Sequence, residues 1–456
     1  VHRLVVGLLA IVVVASAGPA DAEVIHDIIV QDNTKTTTDT VEYIAQIERG
    51  EDWTPGMADE ISRRLVTSGL FKDVNVYWDP AKDGKGVDVH LVVKDKFSWV
   101  IAPAFYDQPT NVGGGVGYGE NNLLGTNQKV LVYGQIATGD SFFIGVWQIP
   151  AIKNSRFDMQ LDTYLADSRN FEYAEPTKYL SNPPEIRDSR LIYLNGGFKF
   201  GFRLFRGVKI DTRIRTAYVT YEPPSLVDGA TPQQVNGANS TSTAIPKPGI
   251  EGWDTSNEWD LTIDRRANWY GIATGYKVVL SFERTIDSLS DFHYYEGGLQ
   301  LFRAYKVLER HNLALKGQLQ AGHHMPFQQE FTMGGTNMRG YANNEFRGDF
   351  YAGATAEYSV PLFTIWELSV RGLGFWDTGY INNFTCGACQ PGDTTNTQRN
   401  YLPDSALHGL DGFKNSVGVG TRFYLRSIVL PLLGLDVGYG LEARDFQVYL
   451  AIGLTD

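Results

Sequence analysis

The side chains best placed to do chemistry are one cation and two carboxylates. Arg339 lies in GGTNMRGY (residues 334–341), where Gly334, Gly335 and Gly340 free the backbone and Tyr341 closes the stretch. Glu357 and Asp377 follow in two segments whose polarity alternates residue by residue. Taken as a strand, 349–360 puts Asp349, Tyr351, Thr355, Glu357 and Ser359 on one face. The other face carries Phe350, Ala352, Ala354, Ala356, Tyr358 and Val360. Segment 365–379 groups Glu367, Ser369, Arg371 and Asp377 opposite Trp366, Leu368, Val370 and Trp376. A carboxylate pair could hydrolyse a glycosidic bond. An arginine aimed at both would hold both ionised and leave no acid. The pattern therefore gives them a structural task. Arg339 enters a barrel on a folded-in loop and meets Glu357 and Asp377 on its inner wall, bracing or plugging the lumen.

No other catalytic set stands out, so neither an enzymatic activity nor a cofactor is expected. His323 and His324 sit at a strand–loop junction with no ligand set around them, so no metal is expected either. A serine hydrolase would need a nucleophile elbow, and the chain has none. The two cysteines, Cys386 and Cys389, lie in a loop rich in Gly, Asn and Thr. A local disulfide suits them better than a metal site, because no nearby Cys or His completes a ligand set. A redox dithiol suits them less, since nothing there starts a helix that would lower a thiol pKa.

The elements that must position these residues show in the composition. The 456 residues carry 52 acidic and 40 basic side chains, a formal charge of -12, which argues against a nucleic-acid partner. No apolar run has the length and flanks of a spanning helix. A spanning β-strand needs only about 9–11 tilted residues, half of them polar where they face a lumen. The 48 glycines, 24 tyrosines and 24 phenylalanines suit such a barrel with aromatic girdles. Residues 1–22 read as a secretory signal: His2 and Arg3, an apolar run over 4–17, then Ala20-Asp21-Ala22 as cleavage site. Val1 is read as an alternative start or as the first residue of an incomplete sequence.

Residues 23–95 form a small domain of order β-α-α-β-β. A strand over 24–30 precedes a helix for which Asp39 and Glu42 make a capping box. Thr54-Pro55 opens a second helix carrying Ala58, Ile61 and Leu65 at helical spacing, and Gly69 ends it. Strands with Phe71, Val74 and Val76, then Val87, Val89, Leu91 and Val93, flank an Asp83-Gly84 turn. GLFKDVNV (69–76) followed by VDVHLVVKD (87–95) strongly resembles a POTRA domain, the periplasmic module of BamA/TamA-type outer-membrane assembly and translocation proteins. The resemblance implies contact with substrate or accessory chains through an edge strand. Most relatives carry several such modules, whereas this chain has room for one.

Residues 96–456 supply sixteen candidate strands: 97–106, 112–121, 127–137, 140–149, 156–167, 190–202, 207–220, 257–266, 271–283, 293–303, 312–323, 348–360, 365–379, 414–425, 430–440 and 446–454. The long connections, 168–189, 221–256, 324–347 and 380–413, all leave odd-numbered strands; those leaving even strands are short. An even count with loops sorted to one end is the mark of a transmembrane antiparallel β-barrel. Lys209, Asp211, Arg213 and Arg215 form an inner row beneath Val208, Ile210, Ile214 and Tyr218, so the lumen is charged. Arg422 also points inward, while Phe446, Val448 and Leu450 face lipid.

The barrel resembles the same superfamily (bacterial surface antigen type), with GYGENNLLGTNQ (117–128) similar to its early-strand motif and GGTNMRGY to the tip of its sixth loop. By that resemblance Arg339 is the arginine that anchors the loop, with Glu357 (in AEYSVPL) and Asp377 (in GFWDTG) as its acidic partners. The family's final aromatic residue is absent, since the chain ends Leu454-Thr455-Asp456. The function implied is insertion of outer-membrane proteins, or translocation of a protein or lipid substrate, in a Gram-negative outer membrane with the POTRA domain in the periplasm. Its partners would be unfolded or translocating polypeptides, periplasmic accessory proteins and outer-membrane lipid. A passive channel or porin, and a surface adhesin or receptor, are the alternative readings. The mature protein is expected to begin at Glu23 and to migrate differently on a gel before and after boiling. N-terminal sequencing and fractionation check both, and recovery from the soluble periplasm would contradict the barrel.

Overall fold

The computed structural model describes residues 23–82, 84–108, 111–173, 183–269, 272–366, 368–385, 395–403, 409–425 and 431–452. The signal segment, Asp83, Glu367, Cys386 and Cys389 lie outside these residues.

An α/β unit comes first: β1 (Glu23–Gln31), α1 (Thr38–Ala45), β2 (Asp52–Trp53), α2 (Gly56–Thr67), β3 (Phe71–Pro80) and β4 (Val87–Asp95). On β4 the period-two row Val87, Val89, Leu91 and Val93 is buried, and the helices lay Val41, Ile44, Ala58, Ile61 and Leu65 over it. Each of these Val, Ile and Leu side chains contributes about 1.5–3 kcal/mol on full burial. The sheet order is β2-β1-β4-β3, with β1 and β4 parallel and, among the described residues, β3 left with one unpaired edge. Two details differ from the sequence reading. β2 is an extra strand of two residues, too short for any period to show. The α1 cap is Thr37, whose side chain accepts from the Thr40 N–H at 3.3 Å, in place of an Asp39–Glu42 box. Asp39 instead lies in the first turn, where it complements the helix dipole.

Sixteen antiparallel strands then close on themselves. They are β5 (Trp99–Gln108), β6 (Asn111–Leu123), β7 (Gln128–Ala137), β8 (Asp140–Ile149), β9 (Phe157–Tyr173), β10 (Glu185–Phe205), β11 (Val208–Tyr221) and β13 (Gly252–Asp264). The circuit continues with β15 (Ile272–Thr285), β16 (Tyr295–Val307), β17 (His311–His323), β20 (Phe350–Ile365), β21 (Leu368–Asn382), β22 (Phe413–Leu425), β23 (Pro431–Gly440) and β24 (Asp445–Ile452). Short pieces β12 (Ser225–Leu226) and β14 (Ala267–Trp269) extend its rims, and α3 (Pro232–Asn236) lies in the connection between β11 and β13. β18 (Phe331–Met333) and β19 (Phe346–Gly348) pair as a separate ribbon within the β17–β20 connection.

Alternation sorts the side chains as the period requires. On β11, Asp211 and Arg215 are buried while Ile210, Ile214 and Tyr218 are exposed on the outer face. β9 and β10 run further than the pattern gives, because charged residues such as Arg169, Glu172, Arg187 and Asp188 continue the ladder beyond a bilayer's thickness. Much of the segment read as a loop over 168–189 is therefore strand. The strand placed at 365–379 begins at Leu368 instead, since Trp366 has a left-handed φ of 51° and turns the chain. No helix among the described residues is long and apolar enough to cross a membrane.

The small unit is bonded to the short-turn end. Asp95 accepts the backbone N–H groups of Thr34 and Lys35, each at 2.7 Å, and that of Thr36 at 3.3 Å. The segment so ordered meets the β6–β7 turn: the Thr37 N–H reaches Gly125 O at 2.9 Å and Asn122 Nδ2 reaches Thr36 Oγ1 at 2.7 Å. A Cβ on Gly125, whose φ is 72°, would lie 2.1 Å from Lys35 O, so the turn admits no side chain there. Lys35 Nζ pairs with Glu120 at 3.1 Å, and Arg206 reaches Gln46 O at 2.6 Å. Burial raises the Asp95 pKa, but the donated hydrogen bonds outweigh it and hold the group below its ordinary value. Its stabilisation is thus present above the ordinary carboxylate range and is lost as pH falls through the lowered value. Asp95→Asn should speed amide exchange at 34–37 at neutral pH without altering the barrel strands. The wild type should show the same loss only in strong acid.

Candidate functional site

The β17–β20 connection turns into the lumen, and its tip is the GGTNMRGY stretch. Gly334, Gly335 and Gly340 have φ of 122°, 75° and 101°, conformations that a side chain disfavours. The tip backbone lies directly on β23: a Cβ on Gly438 would come within 2.7 Å of Arg339 C, and one on Gly340 within 2.5 Å of Gly440 N. The inward row of β23 is Gly434, Asp436, Gly438 and Gly440, and it leaves the space that the tip fills.

Arg339 is 5% exposed and its guanidinium spends every edge on carboxylates. Nε and Nη2 donate to Asp377 Oδ2 and Oδ1, both at 2.8 Å, in a two-pronged fork. Nη1 donates to Glu357 Oε1 at 2.9 Å and to Asp436 Oδ2 at 3.2 Å. The Phe375 ring stacks beneath it at 3.4 Å. Arg422 grips the same Asp436 at 2.6 and 2.9 Å, and Lys316 lies 3.5 Å from Glu357. Three cations thus meet three anions, and the network is neutral as a whole. Thr355 Oγ1 donates to Asp377 Oδ1 at 2.9 Å, which fixes the carboxylate's rotation.

The loop also holds the last strand. Tyr449, on β24, accepts from the Gly340 N–H at 3.0 Å and donates to Tyr341 O at 2.7 Å. Tyr341 donates to Asn415 O at 3.2 Å and bonds Glu442. Glu357, Asp377, Asp436 and Tyr449 come from β20, β21, β23 and β24, so the tip ties four strands of one side together.

Above the tip, loops from the other end meet in a second buried cluster. Arg399 reaches Glu172 at 2.8 Å and Glu330 at 2.9 Å, and Arg187 reaches Glu172 at 2.6 Å. Gln398 joins His293 O and His324 O at 3.0 and 2.7 Å, and Asn400 N–H reaches Pro248 O at 2.8 Å. Together these contacts roof the long-loop end.

Sequence reasoning named Arg339, Glu357, Asp377 and the loop glycines, and the structure brings these residues together. It missed Asp436, Phe375 and Tyr449, and it placed Arg422 inward without a partner. The row of glycines broken by one aspartate on β23 was the available signal. The Arg399 cluster gave none, because Arg399 and Glu330 lie in segments without period and Glu172 and Arg187 lie on β9 and β10 beyond the stretches that alternate in polarity. No group of metal-ligating side chains occurs among the described residues, and the cysteine pair lies outside them.

Arg339→Ala is expected to expose the 324–347 loop to protease while lowering the unfolding temperature less. Arg339→Lys keeps the charge, loses the fork and should restore the loop only in part. Removing one partner of a buried pair costs about 3–5 kcal/mol, and lumen water should reduce this. Asp436→Asn and Glu357→Gln should each loosen the loop, and combining either with Arg339→Ala should be clearly less than additive.

Among solved structures the chain resembles BamA from Haemophilus ducreyi lacking POTRA domains 1–3, at 13% identity and a TM-score of 0.56, covering 94% of this chain and 84% of that one. CdiB from Acinetobacter baumannii matches at 14% identity and 0.59, over 95% and 74% of the two chains. CdiB from Escherichia coli matches at 11% and 0.61, over 94% and 76%. No curated protein matches it. The family model described as the Omp85 superfamily domain matches residues 122–445, about seven-tenths of the sequence, and with the fold and the luminal arginine loop on view, the chain belongs to the Omp85 superfamily of outer-membrane β-barrels, whose members assemble or transport and are not enzymes.

Proposed function

We propose that the protein inserts outer-membrane proteins, or translocates a protein or lipid substrate, by parting β5 from β24, with its α/β unit a single POTRA domain in the periplasm. The observation that carries this is the seam. Among the described residues β24 pairs with β5 only at Leu450↔Asp107 and Ala451↔Tyr106. On its other side β24 pairs with β23 continuously from Leu433↔Ile452 to Gly440↔Asp445. The edge that β24 turns to β5 is one to which a substrate strand can add by the same backbone hydrogen bonds. The unpaired edge of β3 offers a second place for an extended chain to add, before the barrel is reached. The Arg339 network anchors the luminal loop, and the loop with the roof of loops above it works against a steady pore. Nothing in the chain couples an energy source, so folding of the substrate supplies the drive.

A disulfide across the seam tests the reading. Tyr106→Cys with Ala451→Cys, oxidised, should leave the barrel folded and heat-modifiable but stop delivery of client barrels to the outer membrane, and reductant should restore it. Normal outer-membrane composition with the seam locked would contradict an opening barrel. A large steady conductance in planar bilayers would favour the passive channel.

A further inference from the structure

A cavity of about 720 Å³ lies in the lumen between the loop tip and the short-turn end. Its charged lining is cationic in a chain whose formal charge is -12. Arg339 and Arg422 are satisfied there by Glu357 and Asp436, as described above. The charged residues left over are Arg266, Lys277 and Lys316, and all three are positive.

Register places them around one ring. Lys277 on β15 stands opposite Phe302 on β16, and Phe302 stands opposite Lys316 on β17. Arg266, from the β13–β15 turn, lies over the same ring at 5.6 Å. The guanidinium is occupied, since Asp264 takes its Nε at 3.0 Å and its Nη2 at 2.8 Å. Lys277 is not compensated in the same way as the arginines. No hydrogen bond or ion pair holds the Lys277 ammonium among the described residues. The carboxylates whose charge reaches it, Asp264 and Asp260, are gripped by Arg266 and, at 2.7 Å, by Lys199. Lys316 has only Glu357 at 3.5 Å, and that carboxylate already serves Arg339. One step along the same strands, Gln300 and Gln318 add amide donors to the wall.

We propose that this cavity binds a phosphate-bearing ligand through Lys277 and Lys316, with Phe302 packing against its organic part. Lys277, with no ion pair among the described residues, and Lys316, which shares Glu357 with Arg339, add positive potential to the cleft, and an anion there replaces lost hydration with fixed charge. The lysines are two strand spacings apart, about 10 Å between backbones, so their flexible stems can converge on one phosphate or hold two. Phosphate is favoured over a single carboxylate because it accepts from both ammonium groups and from the glutamine amides at once. The volume falls within the range of small-molecule sites, about 300–1,000 Å³. The inference is independent of whether the seam opens.

The test is binding of inorganic pyrophosphate to the full chain in uncharged detergent at low ionic strength, followed by calorimetry. Saturable binding is expected, at least tenfold weaker in the Lys277→Gln, Lys316→Gln double variant. A charge-matched control removing exposed Arg63 and Arg284 should bind as the wild type does. The pair Lys277→Arg, Lys316→Arg should retain binding, which guards against a folding defect; heat-modifiable mobility checks each variant. Adding phosphatidylglycerol to the micelles separates the sources: lysine-dependent displacement of pyrophosphate identifies a lipid head group, and none identifies a soluble phosphate. Absence of saturable binding, or equal binding by the double glutamine variant, overturns the proposal.

Discussion

A strand edge cannot face hydrocarbon, because each unpaired N–H or C=O there costs several kcal/mol with no water to relieve it. That constraint closes the sheet, and the remaining features follow from closure. A closed sheet has an inside, and a period of two sends half of every strand into it. The outer half becomes a belt of Leu, Val, Ile and aromatic side chains. The inner half carries charges, which need partners in so narrow a space. Closure also makes the pairing of β24 with β5 different from the others, since no hairpin joins these two strands.

The lumen meets its charges by pairing them locally. Around Arg339 three cations face three carboxylates, and around Arg399 the carboxylates of Glu172 and Glu330 face Arg187, Arg399 and the nearby Arg347, whose Nη2 donates to Asn170 Oδ1 at 2.8 Å. Desolvating such a group is costly unless the geometry is good and the remaining donors find acceptors. Arg339 meets that condition with its fork on Asp377 and a ring beneath it. Lysine could not, having no plane to stack and no paired donors. These networks add less to stability than they add to position. They fix one arrangement of a loop that has little apolar surface at its tip.

Much of this was legible in the sequence, for a physical reason. Period two is imposed on each strand by lipid on one side and water on the other, so alternation survived in all sixteen segments. Arg339, Glu357 and Asp377 could be set on one side because strand geometry decides the face without knowledge of contacts. Partners across the barrel could not be found that way. Asp436 is nearly a hundred residues from Arg339, and its row reads as glycines with one acid. β9 and β10 outrun the bilayer, where charge replaces alternation of hydrophobicity as the signal. The Thr37 cap went unseen because Asp39 and Glu42 offered a more regular pattern. The bonds of Thr36 and Thr37 to the barrel set where the chain turns into α1.

The two sides of the seam are held by different bodies. On the β5 side, Ser98 and Glu120 bond Lys35, and Gly125 bonds Thr37, so the small domain grips the first hairpins through their turns. On the β24 side, Tyr449 bonds the backbone of Gly340 and Tyr341, so the luminal loop grips the last strand. Neither body reaches across to the other's strand by a hydrogen bond among the described residues. A displacement of the small domain therefore acts on one edge, and release of the loop acts on the other. A ligand that favours either displacement shifts the seam by its differential affinity for the two states and by nothing more. The long ladders that β5 and β24 make with β6 and β23 keep each edge in its own half of the wall.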